Sequence, residues 1–310
     1  MNILKIVLRI LLGCFFIATA VLKLFSLDEF EIYIYSFNIC NFVLSTVVAR
    51  LLIAAEFLLG MFLILRYLYK WTWFLTLLFL LAFTGLLFYT AIFRNDSNCH
   101  CMGAWIELNP LESIIKNVLC IAILFFIRKQ PEHDFIHKLF TIKYLKKIII
   151  GLTFAAAIIV PFGVVPMDSV YNFFRSEKKQ VNEEAFALLQ KDSTFAAAAD
   201  ISNGNYITAM VLSRCKYCKL STEKITQIVD CHQLDKSRLI FAIWGDSLSV
   251  EKFKEVTHTQ DYTFAVINPY IAIDVTFGSF PLFIYTQNGK ITQSVDFREL
   301  SETEIVKLLQ

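Results

Sequence analysis

The sequence predicts a membrane α-helical domain, a four-helix bundle plus a fifth transmembrane helix, followed by an α/β domain. Composition is the first reason: of 310 residues, 56% are apolar, 18% are charged and 30 are Phe, which is typical of a chain that is largely in a bilayer. Long uncharged stretches in the first half are the second reason. The third is a change after residue 168 to a polar sequence with alternating strand and helix patterns.

Five stretches are predicted to span the membrane. Residues 71–93 contain no charge and begin with aromatic residues that suit the interface, and residues 148–167 are also uncharged, with Pro161 as a possible kink. Three further stretches can cross a core of about 30 Å if their flanking charges snorkel to the surface. They are residues 6–26, 45–65 and 111–127.

Lysine and arginine are distributed unevenly between the loops, and this bias sets the expected orientation. If the N-terminus is cytoplasmic, the outer loops carry three basic residues near their edges: Lys23, Arg50 and Arg94. The inner segments then carry ten: Lys5, Arg9, Arg66, Lys70, Arg128, Lys129, Lys138, Lys143, Lys146 and Lys147. We therefore expect a multi-pass protein of a bacterial inner membrane, with residues 94–110 and the C-terminal domain in the periplasm.

A secretory signal is the alternative interpretation of the N-terminus. Lys5 and Arg9, the apolar run and "ATA" at 18–20 fit such a signal. The apolar sequence continues past Ala20, which favours a retained helix. Cleavage would remove the first helix and leave every later loop on the same side, so the expected compartments do not depend on the choice.

The part after residue 168 is predicted to alternate strands and helices. Strands are expected at 206–213, 237–245 and 263–268, helices at 218–230 and 248–258, a hairpin at 280–295 turning at Asn288-Gly289, and a closing helix at 301–310. Ser301 as N-cap and Glu304 three residues on predict a capping box there. The expected domains are residues 1–130 (transmembrane bundle), 131–168 (basic cytoplasmic loop and fifth helix) and 169–310 (α/β domain).

"SRCKYCKLS" places Cys215 and Cys218 where a buried strand ends and a helix begins. The free N–H groups and dipole of a helix start stabilise a thiolate on the first cysteine, and the second, one turn on, can form a disulfide with it. Arg214, Lys216 and Lys219 add positive charge around the pair. This pattern favours thiol-disulfide chemistry over two incidental cysteines.

This region resembles the thioredoxin fold in its order of strand, "CKYC", helix, strand, helix, strand, and Phe280-Pro281 opening a hairpin that leads to a helix. The resemblance covers about residues 180–310 and implies that Pro281 is a cis-proline facing the CxxC pair. Two positions depart from the family pattern. Arg214 stands where the family usually has Trp, and Ala209 stands near a commonly buried Asp.

A second pair, Cys99 and Cys101, lies in the polar loop "RNDSNCHCMGAW". A Cys-x-Cys disulfide closes a small strained ring and is expected to be oxidising and easily passed on. One alternative is a structural disulfide to another cysteine, since Cys40 lies in the other outer loop. Copper(I) bound by Cys99, His100, Cys101 and Met102 is another, because soft ligands select this ion.

The first four helices resemble the DoxX-like superfamily and, more closely, MauE of methylamine utilisation. "GCFFIATAVLKLFSLDEFEIYIYSF", "LLIAAEFLLGMFLIL" and "NCHCMGAW" carry the resemblance over about residues 1–130. It implies work with a thioredoxin-like partner in making disulfides in an exported enzyme, and here that partner is expected to be fused to the membrane part. A quinone is the possible cofactor, by analogy with other four-helix membrane redox proteins.

Several other residues were candidates for a role. Glu56 lies inside the second span, where it is either a polar clasp between helices or a proton acceptor near a quinone. Cys14 and Cys120 lie near mid-bilayer and are either packing residues or an electron relay. Cys231 is expected to be structural, and His133 and His137 to lie in a solvated loop.

Together these observations predict a membrane-bound thiol-disulfide oxidoreductase whose partners are exported proteins with cysteines and the lipid bilayer. A non-enzymatic assembly factor for an exported enzyme and a Cu(I)-handling protein are the alternatives. A formal net charge of +2, without a basic and aromatic cluster, argues against nucleic acid as a partner. The direction of electron flow does not follow from the sequence.

Overall fold

The structure is a computed structural model. It describes residues 2–94, 99, 101–103, 108–129, 143–163, 167–168, 170–171 and 179–310, except the side chains of 143–146. The chain forms two compact units: a helical unit of Met1–Ile34 and Leu44–Pro166, and a second unit of Tyr35–Val43 and Met167–Gln310.

Helices occupy all five stretches predicted to span the membrane. They are α1 (Asn2–Phe25), α3 (Phe42–Leu65), α4 (Tyr69–Tyr89, continued by a π-helical turn at Thr90–Arg94), α5 (Pro110–Phe126) and α6 (Lys143–Gly163), and a short α2 (Leu27–Tyr35) follows α1. Within the described residues, α1, α3 and α4 with its π turn are long and apolar enough to cross a membrane. The membrane α-helical part of the predicted fold class is therefore confirmed.

Two glycines let α1 and α3 approach closely. A Cβ atom on Gly60 would lie 2.7 Å from the Gly13 carbonyl oxygen, and one on Gly13 would lie 2.7 Å from the Gly60 oxygen. Small residues at such a crossing are the usual way for membrane helices to pack backbone against backbone. Apolar side chains of α1, α3, α4 and α5 fill the adjoining core, including Leu12, Leu63, Leu80 and Leu124.

Helix α5 is the shortest of the predicted spans, with 17 residues, or about 25 Å at 1.5 Å per residue. Its start is fixed by a capping box: Asn109 Oδ1 accepts from the Glu112 backbone N–H at 2.8 Å, and Glu112 accepts from the Asn109 N–H at 3.0 Å. Pro110 at the first helical position adds to this start. The cap holds the beginning of α5 directly after the loop that carries Cys99 and Cys101.

The second unit is built on a five-stranded mixed sheet in the order β3-β2-β1-β4-β5. The strands are β1 (Asn205–Leu212), β2 (Leu239–Trp244), β3 (Thr263–Val266), β4 (Leu282–Gln287) and β5 (Lys290–Val295). Strands β1, β2 and β3 are parallel, whereas β4 and β5 run antiparallel to their neighbours. The α/β part of the predicted fold class is thus confirmed.

Helices connect and cover these strands. They are α7 (Glu183–Lys191), α8 (Ser193–Ala198), α9 (Lys216–Cys231), α10 (Ser247–Val256), α11 (Pro269–Thr276) and α12 (Glu302–Leu309). The central strand β1 is buried at every position from Ile207 to Val211, and Thr208 is the polar residue among these five. A core of apolar side chains such as Met210, Ile240 and Ile284 lies against this sheet.

Most predicted elements of this unit are confirmed within a few residues, including the turn at Asn288-Gly289. Helix α11 was not predicted. The capping box at the last helix is wrong: Ser301 is the N-cap, but its side chain caps no backbone N–H. The hydroxyl instead forms a hydrogen bond with Thr303 Oγ1 at 2.9 Å, and Glu304 accepts from the Gln293 side chain at 3.2 Å.

Candidate redox sites

Cys215 and Cys218 lie at the junction of β1 and α9. Strand β1 ends at Leu212 and Cys215 is the N-cap of α9, where its Sγ accepts from the Cys218 backbone N–H at 3.3 Å. Cys215 is half-buried, whereas Cys218 is fully buried and accepts from the Leu212 N–H at 3.4 Å. The accessible sulfur of the pair is therefore that of Cys215.

The two thiols differ strongly in acidity. The hydrogen bond from the Cys218 thiol to Cys215 is the main reason that the pKa of Cys215 falls to about 6. The backbone N–H groups of Cys218 and Tyr217 and the charge of Lys219 also lower this pKa, whereas burial raises it. The same hydrogen bond and burial raise the pKa of Cys218 far above its usual range. At neutral pH the pair thus holds one thiolate, at Cys215, and one thiol.

An acidic residue that sequence reasoning missed lies beside this pair. Arg214 Nη2 is 3.0 Å from Asp246 Oδ2, and both side chains are largely exposed. Part of the positive charge expected from Arg214 is therefore neutralised. Asp246 also caps α10 by accepting from the Ser249 N–H at 2.9 Å; as one aspartate among many, it carried no signal in the sequence.

Pro281 is buried and follows a cis peptide bond after Phe280. It comes directly before β4, whose first residue, Leu282, is paired with Met210 of β1. Because the two strands are antiparallel, Pro281 lies at the same end of the sheet as the segment that leads from β1 to Cys215. The cis bond itself agrees with what the resemblance implied.

Cys99 and Cys101 are also close to each other, but both are buried, with 2% and 7% of their surface exposed. Cys99 Sγ is 3.0 Å from Ser113 Oγ and accepts from the Cys101 N–H at 3.4 Å. The sequence suggested a polar loop in water, and nothing in it indicated Ser113 of α5. Both cysteines are therefore less accessible than Cys215.

Gly103, two residues after Cys101, lies closely against α1. Gly103 has φ +70°, and a Cβ atom there would lie 2.6 Å from the Leu22 carbonyl oxygen. Both the positive φ and the close approach require glycine. This contact keeps the neighbouring Cys101 against the helical bundle.

The second pair shows the same asymmetry as the first. The hydrogen bond from the Cys101 thiol to Cys99 is the main reason that the pKa of Cys99 falls to about 6. Ser113, the Cys101 N–H and the charge of Lys116 also lower this pKa, whereas burial raises it. The bond to Cys99 and burial raise the pKa of Cys101 well above its usual value. Cys99 is therefore the thiolate and Cys101 the thiol.

Glu56 of α3 forms a buried ion pair with Lys23 of α1, with Lys23 Nζ 2.5 Å from Glu56 Oε1. Its second oxygen, Oε2, is buried with no hydrogen-bond partner among the described residues. Both side chains line a cavity of about 30 Å³ that Cys101, Lys116 and Asn117 also line. This volume holds one or two water molecules, whereas a cavity of about 150 Å³ holds a benzene-sized ring. A quinone does not fit here.

Comparison with known proteins finds a similarity for the helical part. Residues 1–128 match the family model described as methylamine utilisation protein MauE. A multi-pass membrane location follows from this match and the apolar helices. In addition, Protein TlpB of Flavobacterium psychrophilum is 30% identical over 129 residues, or 39% of this chain and 35% of that protein. The chain thus spans about a third of the length of that relative, and no solved structure matches it.

The matched residues 1–128 also include Cys14 and Cys120, which have different surroundings. Cys14 is exposed on α1, whereas Cys120 is buried in the apolar core of the bundle. Two further cysteines are half-buried: Cys40, which belongs to the second unit, and Cys231 at the end of α9. The electron relay from Cys14 to Cys120 thus remains a prediction without a supporting contact.

The copper alternative rests partly on His100, which lies outside the described residues, as do His133 and His137. Met102 is described and half-buried. Among the residues that the structure describes, no group of three or more His, Cys, Asp or Glu is arranged to hold a metal ion. The copper site stays a sequence prediction.

Proposed function

We propose that this chain is a membrane-bound thiol-disulfide oxidoreductase that acts on exported proteins. One observation carries the proposal: Cys215 is a half-buried thiolate at a helix start, and Cys218 is a protonated, fully buried thiol one turn behind it. This is the division of labour that disulfide exchange needs, because the thiolate is the nucleophile and the second thiol resolves the mixed disulfide.

The reaction is balanced with the substrate as the only co-reactant. The Cys215 thiolate attacks one sulfur of a substrate disulfide, and the other sulfur leaves as a thiolate. Cys218 then loses its proton and attacks Cys215 Sγ, which releases the second substrate thiolate and closes the Cys215–Cys218 disulfide. The substrate gains two electrons and the pair loses two. The reverse sequence oxidises a substrate dithiol.

We further propose that the Cys99/Cys101 pair exchanges disulfides with the Cys215/Cys218 pair at the periplasmic face. The distribution of basic residues supports this common side, and the thioredoxin-like order of elements with cis-Pro281 supports the substrate-facing role of the C-terminal pair. Because Cys99 and Cys101 are buried, this exchange should be slower than capture of a substrate by Cys215.

Trapping of mixed disulfides tests the proposal. The full-length Cys218→Ser variant, expressed in a bacterium and quenched with acid, should accumulate complexes with exported proteins and a crosslink from Cys215 to Cys99 or Cys101. The matched control is Cys231→Ser, which changes a half-buried cysteine of the same unit and should trap nothing. Absence of every Cys215-linked complex in the Cys218→Ser variant would contradict the proposal.

A second candidate is a non-enzymatic assembly factor. The match of residues 1–128 to a family named for methylamine utilisation favours a role tied to one process. The Cys215→Ala, Cys218→Ala double variant separates the two functions. An assembly factor keeps its full effect on the yield of its exported partner in that variant, whereas an oxidoreductase loses it.

A further inference from the structure

Closing a disulfide between Cys99 and Cys101 requires Cys101 to lose its proton in a place that water barely reaches. Its surface is 7% exposed, and burial favours the protonated thiol. A thiol does not attack a disulfide until it becomes a thiolate. A proton acceptor within the bundle is therefore needed.

The cavity beside Cys101 contains one group suited to this task. Of the titratable side chains that line it, Lys23 from α1 and Lys116 from α5 are cations, and Cys101 is the proton donor. Glu56 from α3 is the single carboxylate among its described lining residues, and α4 contributes apolar side chains such as Leu80 and Phe83. The choice thus falls on Glu56 by chemistry as well as by position.

The two oxygens of Glu56 are used differently. Oε1 is held by Lys23, whose ammonium group also lies 5.5 Å from the ring centre of Phe83. Oε2 is buried and has no hydrogen-bond partner among the described residues. Leaving a buried carboxylate oxygen unpaired is costly, and the cavity has room for a water that could join it to Cys101.

We propose that Glu56, with its charge balanced by Lys23, accepts the Cys101 proton when the Cys99–Cys101 disulfide closes and returns it when the disulfide opens. This inference rests on the disulfide exchange proposed above for the same pair. In the closing step, Cys99 is in a mixed disulfide with a partner sulfur. Cys101 gives its proton through the cavity water to Glu56 Oε2, its thiolate attacks Cys99 Sγ, and the partner sulfur leaves with the electron pair of the broken bond.

A two-step reaction with 4,4′-dithiodipyridine tests this role. The full chain is used with its other six cysteines replaced by serine. Attack of Cys99 on the probe releases one thiopyridone, and ring closure by Cys101 releases a second. Glu56→Gln should leave the first release within about twofold and slow the second at pH 7, by about 100-fold if the carboxylate acts as a general base. The second release should recover as the pH rises, because hydroxide replaces the carboxylate.

The controls separate this role from a structural one. Glu31→Gln changes another buried ion pair of the bundle, in which Arg50 Nε is 2.7 Å from Glu31 Oε1, and should leave both releases unchanged. Glu56→Asp should recover part of the second rate. If Glu56→Gln fails to fold because Lys23 is left unpaired, the Lys23→Met, Glu56→Gln double variant removes both charges and should show the same slow, pH-dependent second release.

Three results would overturn the inference. They are an undelayed second release in the Glu56 variants, a delay of the same size in Glu31→Gln, and a delay that does not respond to pH. If the parent chain, which keeps only Cys99 and Cys101 with Glu56 unchanged, releases a single equivalent of thiopyridone, both this inference and the proposed exchange at Cys99 and Cys101 are overturned. A parent that releases two, with no effect of Glu56→Gln, refutes the proton acceptor and leaves the proposed function standing.

Discussion

Replacing Cys218 by alanine should raise the pKa of Cys215, whereas replacing it by serine should keep that pKa low. The hydrogen bond from the Cys218 side chain is the largest cause of the low pKa of Cys215, about 6. Serine retains a donor at the same position and alanine does not. The backbone N–H of Cys218 remains in both variants, so the rise in alanine should be partial, of at least about one unit.

The size of the effect depends on the pH of the assay. At pH 7 a thiol with a pKa of about 6 is about 90% thiolate, and a thiol with an ordinary pKa of about 8.5 is about 3% thiolate. A less basic thiolate is also a weaker nucleophile, with a Brønsted slope of about 0.45, which reduces this roughly 30-fold advantage to about twofold. At pH 5 the advantage in thiolate is about 300-fold, and about 20-fold remains in rate. These values are upper limits for the alanine variant, because its pKa rises only in part.

The assay is therefore a pH profile rather than a rate at one pH. The Cys218→Ala and Cys218→Ser proteins react with 4,4′-dithiodipyridine at pH 4.5 to 9. This range extends about 1.5 pH units below and about 3 above the expected midpoint. The modified Cys215 peptide is quantified by mass spectrometry. The serine variant should titrate near the wild-type value and the alanine variant at higher pH. Equal midpoints in the two variants would refute the assigned role of the Cys218 side chain.

Three further outcomes are expected. Gly60→Leu should lower the thermal stability of the purified protein in detergent, because its Cβ atom would meet the α1 backbone, whereas Gly85→Leu should not, since a Cβ there meets nothing within 4 Å. Lys224→Ala should lower the free energy of unfolding measured by pulse proteolysis by about 1.5–3 kcal/mol, because a fully buried ammonium group loses its bond to Asp168 while Arg298 still pairs with that carboxylate. The partly exposed pair of Lys236 should contribute less than about 1 kcal/mol. Ser301→Ala should change the free energy of unfolding by less than about 0.5 kcal/mol, because this hydroxyl caps no backbone N–H. Loss of an N-cap hydroxyl that does so typically costs about 1 kcal/mol.

Periodicity and turn chemistry were sufficient to predict most elements of both units, although not the short helices α2 and α11. Strand β1 is a run of buried residues, and Asn288-Gly289 is a strong hairpin signal, so both were found at their positions. Helix α11 was missed because its eight residues, Pro269–Thr276, are too few to show a helical period. The capping box at Ser301 failed since the pattern is necessary for such a cap but does not fix the side-chain rotamer.

The sites were predictable only where the chemistry is local in sequence. Cys215 and Cys218 are separated by one helical turn, so their spacing already implies contact. Ser113 meets Cys99 from 14 residues away, and Lys23 meets Glu56 from 33 residues away. Those pairs depend on how the helices pack, which a single sequence does not specify. Burial of the Cys99/Cys101 pair has the same origin, because Leu87 of α4 and Ile114 of α5 pack with it.

The matched acidities of the two pairs bear on the direction of exchange between them. Stabilising a thiolate favours the reduced form of a pair and makes its disulfide more oxidising. Cys99 and Cys215 both have a pKa lowered to about 6, so this contribution acts in the same direction in both pairs. The difference that remains is the smaller, more strained ring of the Cys99–Cys101 disulfide. Strain raises its oxidising power, and we therefore expect electrons to pass from the Cys215/Cys218 dithiol to the Cys99–Cys101 disulfide.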